Sequence, residues 1–232
     1  MPSPRFDLLG IGNAIVDVVA SCEDDFLSRH DMRKGTMRLI SAEQAETLYA
    51  AMPQGQESSG GSAANTCAVA AGLGAKVAFL GKVADDQLGA VFRHDITAAG
   101  VHYPTPPLTD AAPTARCLIL VTPDAQRTMN TYLGACVDFA PADLDEDAIR
   151  DSAVTYLEGY LFDPPQAQAA FRRAAEVAHA AGRQVALSLS DAFCVDRHRD
   201  AFRDLVRGHV DILFANEAEI CSLYEENDIE AA

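Results

Sequence analysis

The chain has 232 residues, of which 34 are acidic and 18 basic, giving a formal net charge of −16 at pH 7. This charge opposes binding to the phosphate backbone of nucleic acids, so we expect no nucleic-acid partner. The hydrophobic fraction of 49% is enough for a full core, yet no apolar run reaches the 18 residues of a membrane span. The six cysteines are scattered through apolar stretches, which is typical of a reducing compartment, and we expect a cytoplasmic protein.

The first sixty residues predict short strands around two helical stretches. Runs suited to strands are residues 6–12, Ile15–Ala20 and Thr36–Ile40, with an acidic helical stretch before the third. Ser41 and Gln44 form a capping-box pattern, which predicts the start of a helix that runs to about Ala51. The polar run Pro53–Ser59 then predicts a disordered segment.

From Ser62 onward, helices and strands alternate. The predicted strands are Lys76–Gly81, Val154–Glu158, Gln184–Leu189 and Asp211–Ala215, and the predicted helices are Ala63–Gly72, Asp86–Ala99, Pro164–Ala181 and one that begins at Asn216. This order predicts an α/β fold with a Rossmann-like, mostly parallel central sheet and helices on both faces. We expect one such domain over residues 1–232.

Residues 114–133 break this alternation. Two strand-like runs, Ala115–Val121 and Arg127–Leu133, flank Pro123-Asp124, and this pattern predicts a β-hairpin. Together with the strands near residues 14–21 and 36–40, the hairpin could form a small separate sheet. A projecting sheet on an α/β body suits a lid over a ligand cleft, so we expect a small β-sheet lid.

A glycine-rich turn, Gly60-Gly61-Ser62, precedes a helix of small residues. Two glycines allow a sharp bend and a close approach of the backbone to a ligand, and the helix start offers unpaired N–H groups. Asn65, one turn into the helix, adds a side chain that can donate and accept hydrogen bonds. The alternative is a tight turn that serves only to let this helix pack closely on a sheet.

Other motifs occur in a fixed order around this turn. Gly12-Asn13-x-x-x-Asp17 precedes it, Gly81 and Gly89 flank Asp85-Asp86 after it, and Asn216-x-x-Glu219 follows the strand Asp211–Ala215. In this order the motifs resemble the first signature and the N-x-x-E motif of the PfkB (ribokinase-like) sugar and nucleoside kinases. The resemblance covers essentially the whole chain, and it is closer to the adenosine kinases than to the ribokinases or fructokinases.

The resemblance implies a nucleoside site and assigns residues to it. By it, Asp17 and Asn65 hold the ribose 2′- and 3′-hydroxyls and Gly61 gives close backbone approach, with Asn13 and Gly60 in the same sugar site. The positions that match the lining of the adenine pocket are Leu133, Ala135, Tyr160 and Leu161. A carboxylate suits Asp17's task because it accepts two hydrogen bonds from adjacent hydroxyls. The alternative for Asp17 is a surface residue at the end of a strand.

Asn216 and Glu219 lie three residues apart at a helix start. The resemblance implies that they organise Mg²⁺ and its water shell beside the ATP phosphates, and Mg²⁺ does keep several waters and few direct carboxylate ligands. The local sequence is equally typical of a capping box, because Asn is a favoured N-cap and Glu suits the third position. ATP and Mg²⁺ are thus the implied cofactors.

One part of the family pattern is absent from these residues. The family's Gly-Ala-Gly-Asp motif supplies the general-base Asp and an anion hole, and no Asp of this chain stands in such a context. We therefore expect the base beyond Ala232 and no phosphoryl transfer by residues 1–232 alone. The interpretation is the substrate-binding part of a kinase that phosphorylates adenosine at the 5′-hydroxyl with ATP. The alternatives are a sugar kinase acting on ribose or a ketose, and a non-catalytic nucleoside-binding relative. A homodimer through the lid is also compatible with the family.

Overall fold

The computed structural model describes residues 3–110 and 112–229, which form two β-sheets and the helices that cover them. The strands are β1 (Phe6–Ile11), β2 (Ile15–Ser21), β3 (Met37–Leu39), β4 (Gln56–Gly60), β5 (Val77–Leu80), β6 (Val101–His102), β7 (Ala115–Val121), β8 (Arg127–Tyr132), β9 (Ser152–Glu158), β10 (Gln184–Ser188) and β11 (Ile212–Phe214). The α-helices are α1 (Asp24–Arg29), α2 (Ala42–Ala51), α3 (Ser62–Gly72), α4 (Gln87–Ala98), α5 (Glu146–Arg150), α6 (Pro165–Ala180), α7 (Ala192–His209) and α8 (Glu217–Tyr224). Three 3-10 turns lie at Gly134–Asp138, Pro141–Asp143 and Gly159–Phe162.

The central sheet has six strands in the order β11-β10-β9-β1-β5-β6, and every pair in it is parallel. Helices cover both faces of this sheet, so its inner strands are mostly apolar, and all four residues of β5 are buried. The prediction of a Rossmann-like parallel sheet is confirmed.

Neighbouring residues of β1 point to opposite faces of the central sheet. Leu9 and Ile11 pack into a core with α5, α6, α7 and α8. Leu8 packs on the other side, where α3 and α4 form a second core that includes Cys67 and Phe92. Helices therefore lie on both faces, as predicted. Within the described parts of the chain, no helix combines the length and apolar character needed to cross a bilayer.

The second sheet has five strands in the order β3-β8-β7-β2-β4 and mixes parallel and antiparallel pairs. The three segments predicted to form a small sheet therefore do pair with one another. On β2 the side chains of Val16 and Val18 are buried, whereas Ile15, Asp17 and Val19 point to the opposite, more open face. This alternation places Asp17 on the face of the sheet that is not packed into the core.

One prediction about local structure is wrong, and one long helix was missed. The run Pro53–Ser59 was expected to be disordered, but Gln56–Gly60 forms β4, antiparallel to β2. Pairing of backbone groups with β2, together with a bond from the Ser59 N–H to Asp95 Oδ2 at 3.2 Å, orders a sequence with few apolar residues. Helix α7, which has buried Phe202 and Leu205 on its inner face, was not predicted.

Candidate functional site

The candidate site lies at the carboxyl edge of the central sheet. Ile11, the last residue of β1, is in register with Leu80 of β5 and Leu157 of β9. The residues that follow these strands therefore emerge side by side, and ligands of open α/β sheets bind in the crevice at this edge. Gly12-Asn13 and Glu158 meet here, with the first turn of α3 directly above them.

Glu158 connects the two turns of this edge. Its Oε1 accepts hydrogen bonds from the Asn13 backbone N–H at 3.4 Å and from Asn13 Nδ2 at 3.1 Å. Its Oε2 accepts from the Ala63 N–H at 2.8 Å. The side chain is 1% exposed, and burial raises the pKa of Glu158 to about 7, an increase that these three hydrogen bonds limit.

Sequence reasoning did not select Glu158. A signal was available, because Glu158 is an acidic residue at the end of a strand with no other charged residue and is followed by glycine. Lys82, which follows β5, was also missed; its ammonium forms a mostly buried ion pair with Asp143 at the same sheet edge.

The Gly60-Gly61 turn is sterically closed to larger residues. A Cβ on Gly61 would lie 2.2 Å from the Asn13 carbonyl oxygen, and its φ of +101° is one that L-residues rarely adopt. A Cβ on Gly60 would lie 2.3 Å from Asp17 Oδ2. The turn thus brings β4, the Asn13 turn and Asp17 together, and the glycines are needed for this close approach.

Asp17 is a half-buried carboxylate beside this turn. Among the described residues, no hydrogen bond or ion pair engages its oxygens. Its neighbours across the sheet are Ser58 on β4 and Cys117 on β7. Burial raises the pKa of Asp17 to about 6, because no partner compensates the charge. An unpaired, desolvated carboxylate makes Asp17 a candidate for a functional residue.

Helix α3 begins at this turn. Ala63 and Ala64 are buried, which lets the helix pack closely on β1 and β5, whereas Asn65 is exposed. The Asn65 backbone N–H bonds to the Gly61 carbonyl at 2.8 Å, while its side-chain amide makes no hydrogen bond within residues 3–110 and 112–229. Its amide is therefore available to a ligand at the same helix end.

The four residues assigned to a base pocket have different environments. Leu133 is half-buried, and Ala135 is fully buried beside Pro113, whose carbonyl accepts the Ala135 N–H. Tyr160 is 37% exposed, whereas Leu161 is 1% exposed and belongs to the core beneath α6 and α7. Tyr160 and Leu133 can therefore contact a ligand directly, and Leu161 supports the turn from the core side.

Tyr160 interacts electrostatically with both parts of the candidate site. Burial raises the pKa of its hydroxyl to about 12, with further contributions from the charges of Asp191, Glu158 and Glu219. Its backbone N–H donates to Ser190 Oγ at 3.3 Å. The phenol is thus neutral at physiological pH and within electrostatic reach of both Glu158 and Glu219.

Asn216 and Glu219 form a complete capping box at the start of α8. Asn216 Oδ1 accepts from the Glu219 N–H at 2.9 Å, and Glu219 Oε2 accepts from the Asn216 N–H at 3.1 Å. Asn216 Nδ2 also donates to Glu219 Oε1 at 2.7 Å. The capping alternative is therefore realised in the structure, and it leaves Glu219 93% buried with both oxygens engaged.

The pair lies at the same carboxyl edge as Asn13 but further along the sheet. Two strands, β9 and β10, lie between β1 and β11. Three interstrand spacings of ~4.8 Å therefore place β1 and β11 about 14 Å apart. Within the described ranges, no group of three His, Cys, Asp or Glu side chains forms a ready metal cage. The donors present fit a magnesium ion that keeps most of its waters, since Mg²⁺ takes few protein ligands.

Two surface hollows lie away from these residues. One is lined by Cys22, Phe26 and Val121, and the other by Arg38, Glu43 and Thr47. Neither contains a residue of the candidate site. The site is therefore identified by its unpaired polar groups and glycine contacts and not by an enclosed cavity.

Known proteins match this chain along most of its length. Residues 35–232 match the family described as pfkB family carbohydrate kinase. The crystal structure of adenosine kinase from Sinorhizobium meliloti is 54% identical, with a TM-score of 0.88, over 98% of this chain and 70% of that chain. A probable sugar kinase protein from Rhizobium etli CFN 42 is 53% identical, with a TM-score of 0.89, over 98% of this chain and 69% of that one.

A curated relative agrees with these matches. The ATP-dependent ribose-1-phosphate kinase of Halopiger xanaduensis is 31% identical over 74% of this chain, which spans 54% of that kinase. The chain thus spans about half the length of this curated relative. With 198 of its residues in the family match (35–232), the chain belongs to the pfkB family of carbohydrate kinases.

Proposed function

We propose that this chain provides the nucleoside-binding side of a kinase that transfers the γ-phosphoryl group of ATP to the 5′-hydroxyl of adenosine. The observation that carries the proposal is the half-buried Asp17 carboxylate, without a partner in the described structure, beside the Gly60-Gly61 turn and the start of α3. The similarity to the Sinorhizobium meliloti adenosine kinase supports adenosine as the nucleoside.

The ribose contacts follow from the free acceptors and donors of this edge. The Asp17 carboxylate can accept hydrogen bonds from the vicinal 2′- and 3′-hydroxyls, and the exposed Asn65 amide can bond the same diol. Gly61 permits close approach because a side chain there would displace the Asn13 carbonyl. A sugar that lacks one hydroxyl would leave the half-buried Asp17 carboxylate partly unpaired, which penalises the binding of that sugar.

The base contacts follow from the apolar residues that border the ribose site. Leu133 follows β8 of the second sheet and Tyr160 follows β9 of the central sheet. We propose that the second sheet acts as a lid and that a purine lies between these two side chains. The aromatic ring of Tyr160 offers a stacking surface that a free sugar cannot use.

The site of phosphoryl transfer would lie between the nucleoside and the Asn216–Glu219 pair. In such transfers the enzyme contributes positioning and electrostatic stabilisation, and Mg²⁺ neutralises charge on the phosphate oxygens. Asn216 and Glu219 would hold the ion through water, because their own oxygens are already engaged with each other.

A nuclear magnetic resonance titration tests the location of the site. Adding adenosine to ¹⁵N-labelled protein should shift the amide signals of Asn13, Gly60, Gly61 and Asn65 together. Signals around the remote hollow at Cys22 and Phe26 serve as the internal control and should stay in place. Shifts confined to other parts of the chain would refute the proposed site.

The Glu219 carboxylate provides a test of the magnesium role. Replacing it by Gln keeps the bond to the Asn216 N–H but loses the one from Asn216 Nδ2, which costs about 0.5–1.5 kcal/mol. The assay needs a form of the kinase that includes the general-base Asp, because residues 1–232 alone are expected to transfer no phosphoryl group. In an ADP-release assay of that form with adenosine and ATP, we expect Glu219→Gln to raise the Mg²⁺ concentration for half-maximal rate and to lower the rate at saturation.

Glu217→Gln is the matched control for this substitution. Glu217 lies in the same helical turn and carries the same charge, but it is exposed and outside the capping box. Its replacement should change neither the magnesium dependence nor the stability. Identical magnesium curves for Glu219→Gln and Glu217→Gln would show that Glu219 serves only to cap the helix.

A sugar kinase is the second candidate. It is favoured by the 53% identity to a probable sugar kinase protein from Rhizobium etli and by the Halopiger xanaduensis ribose-1-phosphate kinase. Asp17 and Asn65 could bind the hydroxyls of a free pentose as well as those of a nucleoside. The two candidates differ in whether Leu133 and Tyr160 contribute to binding, which comparison of adenosine with ribose decides.

A further inference from the structure

Glu158 has a position that the proposed catalysis does not explain. It belongs to β9, yet its carboxylate bonds two other segments, the turn after β1 through Asn13 and the first turn of α3 through Ala63. A Cβ on Gly12 would lie 2.2 Å from its Oε2, so the backbone packs tightly against this carboxylate. Glu158 thus joins three elements at a single buried point.

We propose that Glu158 is a positioning residue, which holds Asn13 and the start of α3 in the relative placement that nucleoside binding needs and releases them when its carboxyl group takes up a proton. The inference rests on the proposed function, because Asn13 and Gly61 are nucleoside contacts there. Glu158 itself acts through these two segments.

We call the three hydrogen bonds from Asn13 and Ala63 to the Glu158 carboxylate the clamp. The chemistry of these bonds explains why protonation of Glu158 would release the clamp. All three groups facing the carboxylate are donors: the Asn13 N–H, the Asn13 side-chain NH₂ and the Ala63 N–H. An ionised carboxylate accepts from all of them, whereas a carboxylic acid carries one O–H donor that points at another donor. The Asn13 amide would have to turn over and present its oxygen, which changes what Asn13 offers to a ligand.

Among the described residues, the other titratable groups that interact electrostatically with Glu158 do not change charge near neutral pH. The ones that interact with it electrostatically are Cys67 on α3, Cys136 in the 3-10 turn after β8, and Tyr156 and Tyr160 on and after β9. Burial raises the pKa of each, to about 12 for Cys67 and for Tyr160, so all four stay neutral between pH 6 and 8. Glu158, with its pKa raised by burial to about 7, changes charge within that range.

Ionisation of Glu158 as the pH rises is expected to lower the stability of the protein but to strengthen nucleoside binding. Because the pKa of Glu158 is higher in the folded state than its ordinary value of 4.5, the folded state binds more protons between pH 4.5 and 7. The contribution of Glu158 to the free energy of unfolding is therefore lost as the pH rises through this window. The clamp, in contrast, strengthens as the carboxylate ionises. A purely structural role would move stability and affinity in the same direction.

The test combines two measurements on the wild-type protein. In the absence of ligand, the ¹⁵N amide signals of Asn13 and Ala63 should titrate together with a midpoint near pH 7. By calorimetry, the Kd for adenosine should rise about fourfold from pH 8 to pH 6.5, since the ionised fraction falls by that factor for a pKa of about 7. Asp17, with a pKa of about 6, stays mostly ionised over this range.

Glu158→Gln removes the titrating group and places an NH₂ against one of the N–H donors. We expect an adenosine Kd at pH 8 at least as weak as that of the wild type at pH 6.5. Between these pH values the Kd of the variant should change by no more than about 1.3-fold, which is the contribution of Asp17 with its pKa of about 6. Glu43→Gln, a change at an exposed residue of α2, is the control and should retain the wild-type profile.

Amide signals that do not titrate between pH 6 and 8, or a fourfold change of Kd with pH that persists in Glu158→Gln, would overturn the inference. If Glu158→Gln does not fold, the wild-type titrations decide alone. Wild-type protein that binds no nucleoside at any pH would overturn the proposed function and the positioning role with it, while the amide titration would still show whether the clamp forms.

Discussion

Replacing Asp17 by Asn is expected to weaken adenosine binding by roughly 10- to 150-fold without lowering the stability of the protein. A hydrogen bond to a charged group is worth about 1.5–3 kcal/mol, which gives this range of affinities. The carboxylate has no partner within the described chain, so its removal breaks no internal contact. Calorimetric titration with adenosine and thermal unfolding, both at pH 8, measure the two effects.

The expected stability follows from the raised pKa of Asp17. Its folded-state value of about 6 exceeds the ordinary 3.8, so ionisation of Asp17 lowers the free energy of unfolding as the pH rises from about 4 to 6, and the loss persists above pH 6. A neutral Asn avoids this loss at pH 8. The melting temperature of Asp17→Asn should therefore equal or exceed that of the wild type.

A 2′-deoxynucleoside is the matched control for Asp17. It offers one hydroxyl fewer to the carboxylate, so Asp17→Asn should weaken its binding less than that of adenosine. An equal loss for adenosine and 2′-deoxyadenosine would show that Asp17 does not contact the ribose diol.

Gly61→Ala is expected to have the second large effect, on stability and binding together. The new Cβ would overlap the Asn13 carbonyl oxygen at 2.2 Å, and an alanine at φ +101° is strained. The steric overlap and the backbone strain each lower the free energy of unfolding by about 1–3 kcal/mol. Relief of the overlap requires the Asn13 turn to move away from α3, so we also expect adenosine binding to be lost. Urea unfolding and calorimetry provide the measurements.

Gly72→Ala is the control for this substitution. Gly72 ends the same helix, and apart from its chain neighbours and the nearby backbone of its own helix no described atom lies within 4 Å of where its Cβ would be. Its replacement by alanine should leave stability unchanged or raise it by about 0.5–1 kcal/mol, because alanine loses less entropy in a helix. If Gly61→Ala were as stable as Gly72→Ala and bound adenosine normally, the close contact between Gly61 and Asn13 would have no functional role.

The sequence was sufficient to predict five of the six strands of the central sheet because their signals are local, whereas the two-residue strand β6 was not predicted. Apolar runs such as Val77–Leu80 and small-residue helices such as α3 carry their periodicity in consecutive residues. Strand β4 was missed for the converse reason. Its residues, Gln56–Gly60, are mostly polar, and only pairing with β2 makes them a strand.

Candidate site residues could be proposed from the sequence only where they stand in a short motif. The residues Asn13, Asp17 and Gly61 stand in short motifs, and the structure brings these motifs together. Glu158 belongs to no such motif, and its importance depends on strand order, since β9 lies directly beside β1. For Asn216 and Glu219, the same two residue types suit a capping box and a magnesium site, so sequence alone could not separate the two roles.

The measurement that tests the central claim most directly is a parallel calorimetric titration of the wild-type protein with adenosine and with ribose at pH 8. Burying on the order of 100 Å² of apolar purine surface at ~25 cal/mol/Å² contributes about 2.5 kcal/mol, or roughly 70-fold in affinity. We predict that adenosine binds tighter than ribose by about this factor. Ribose binding as tightly as adenosine would contradict the assignment of a nucleoside site to this chain.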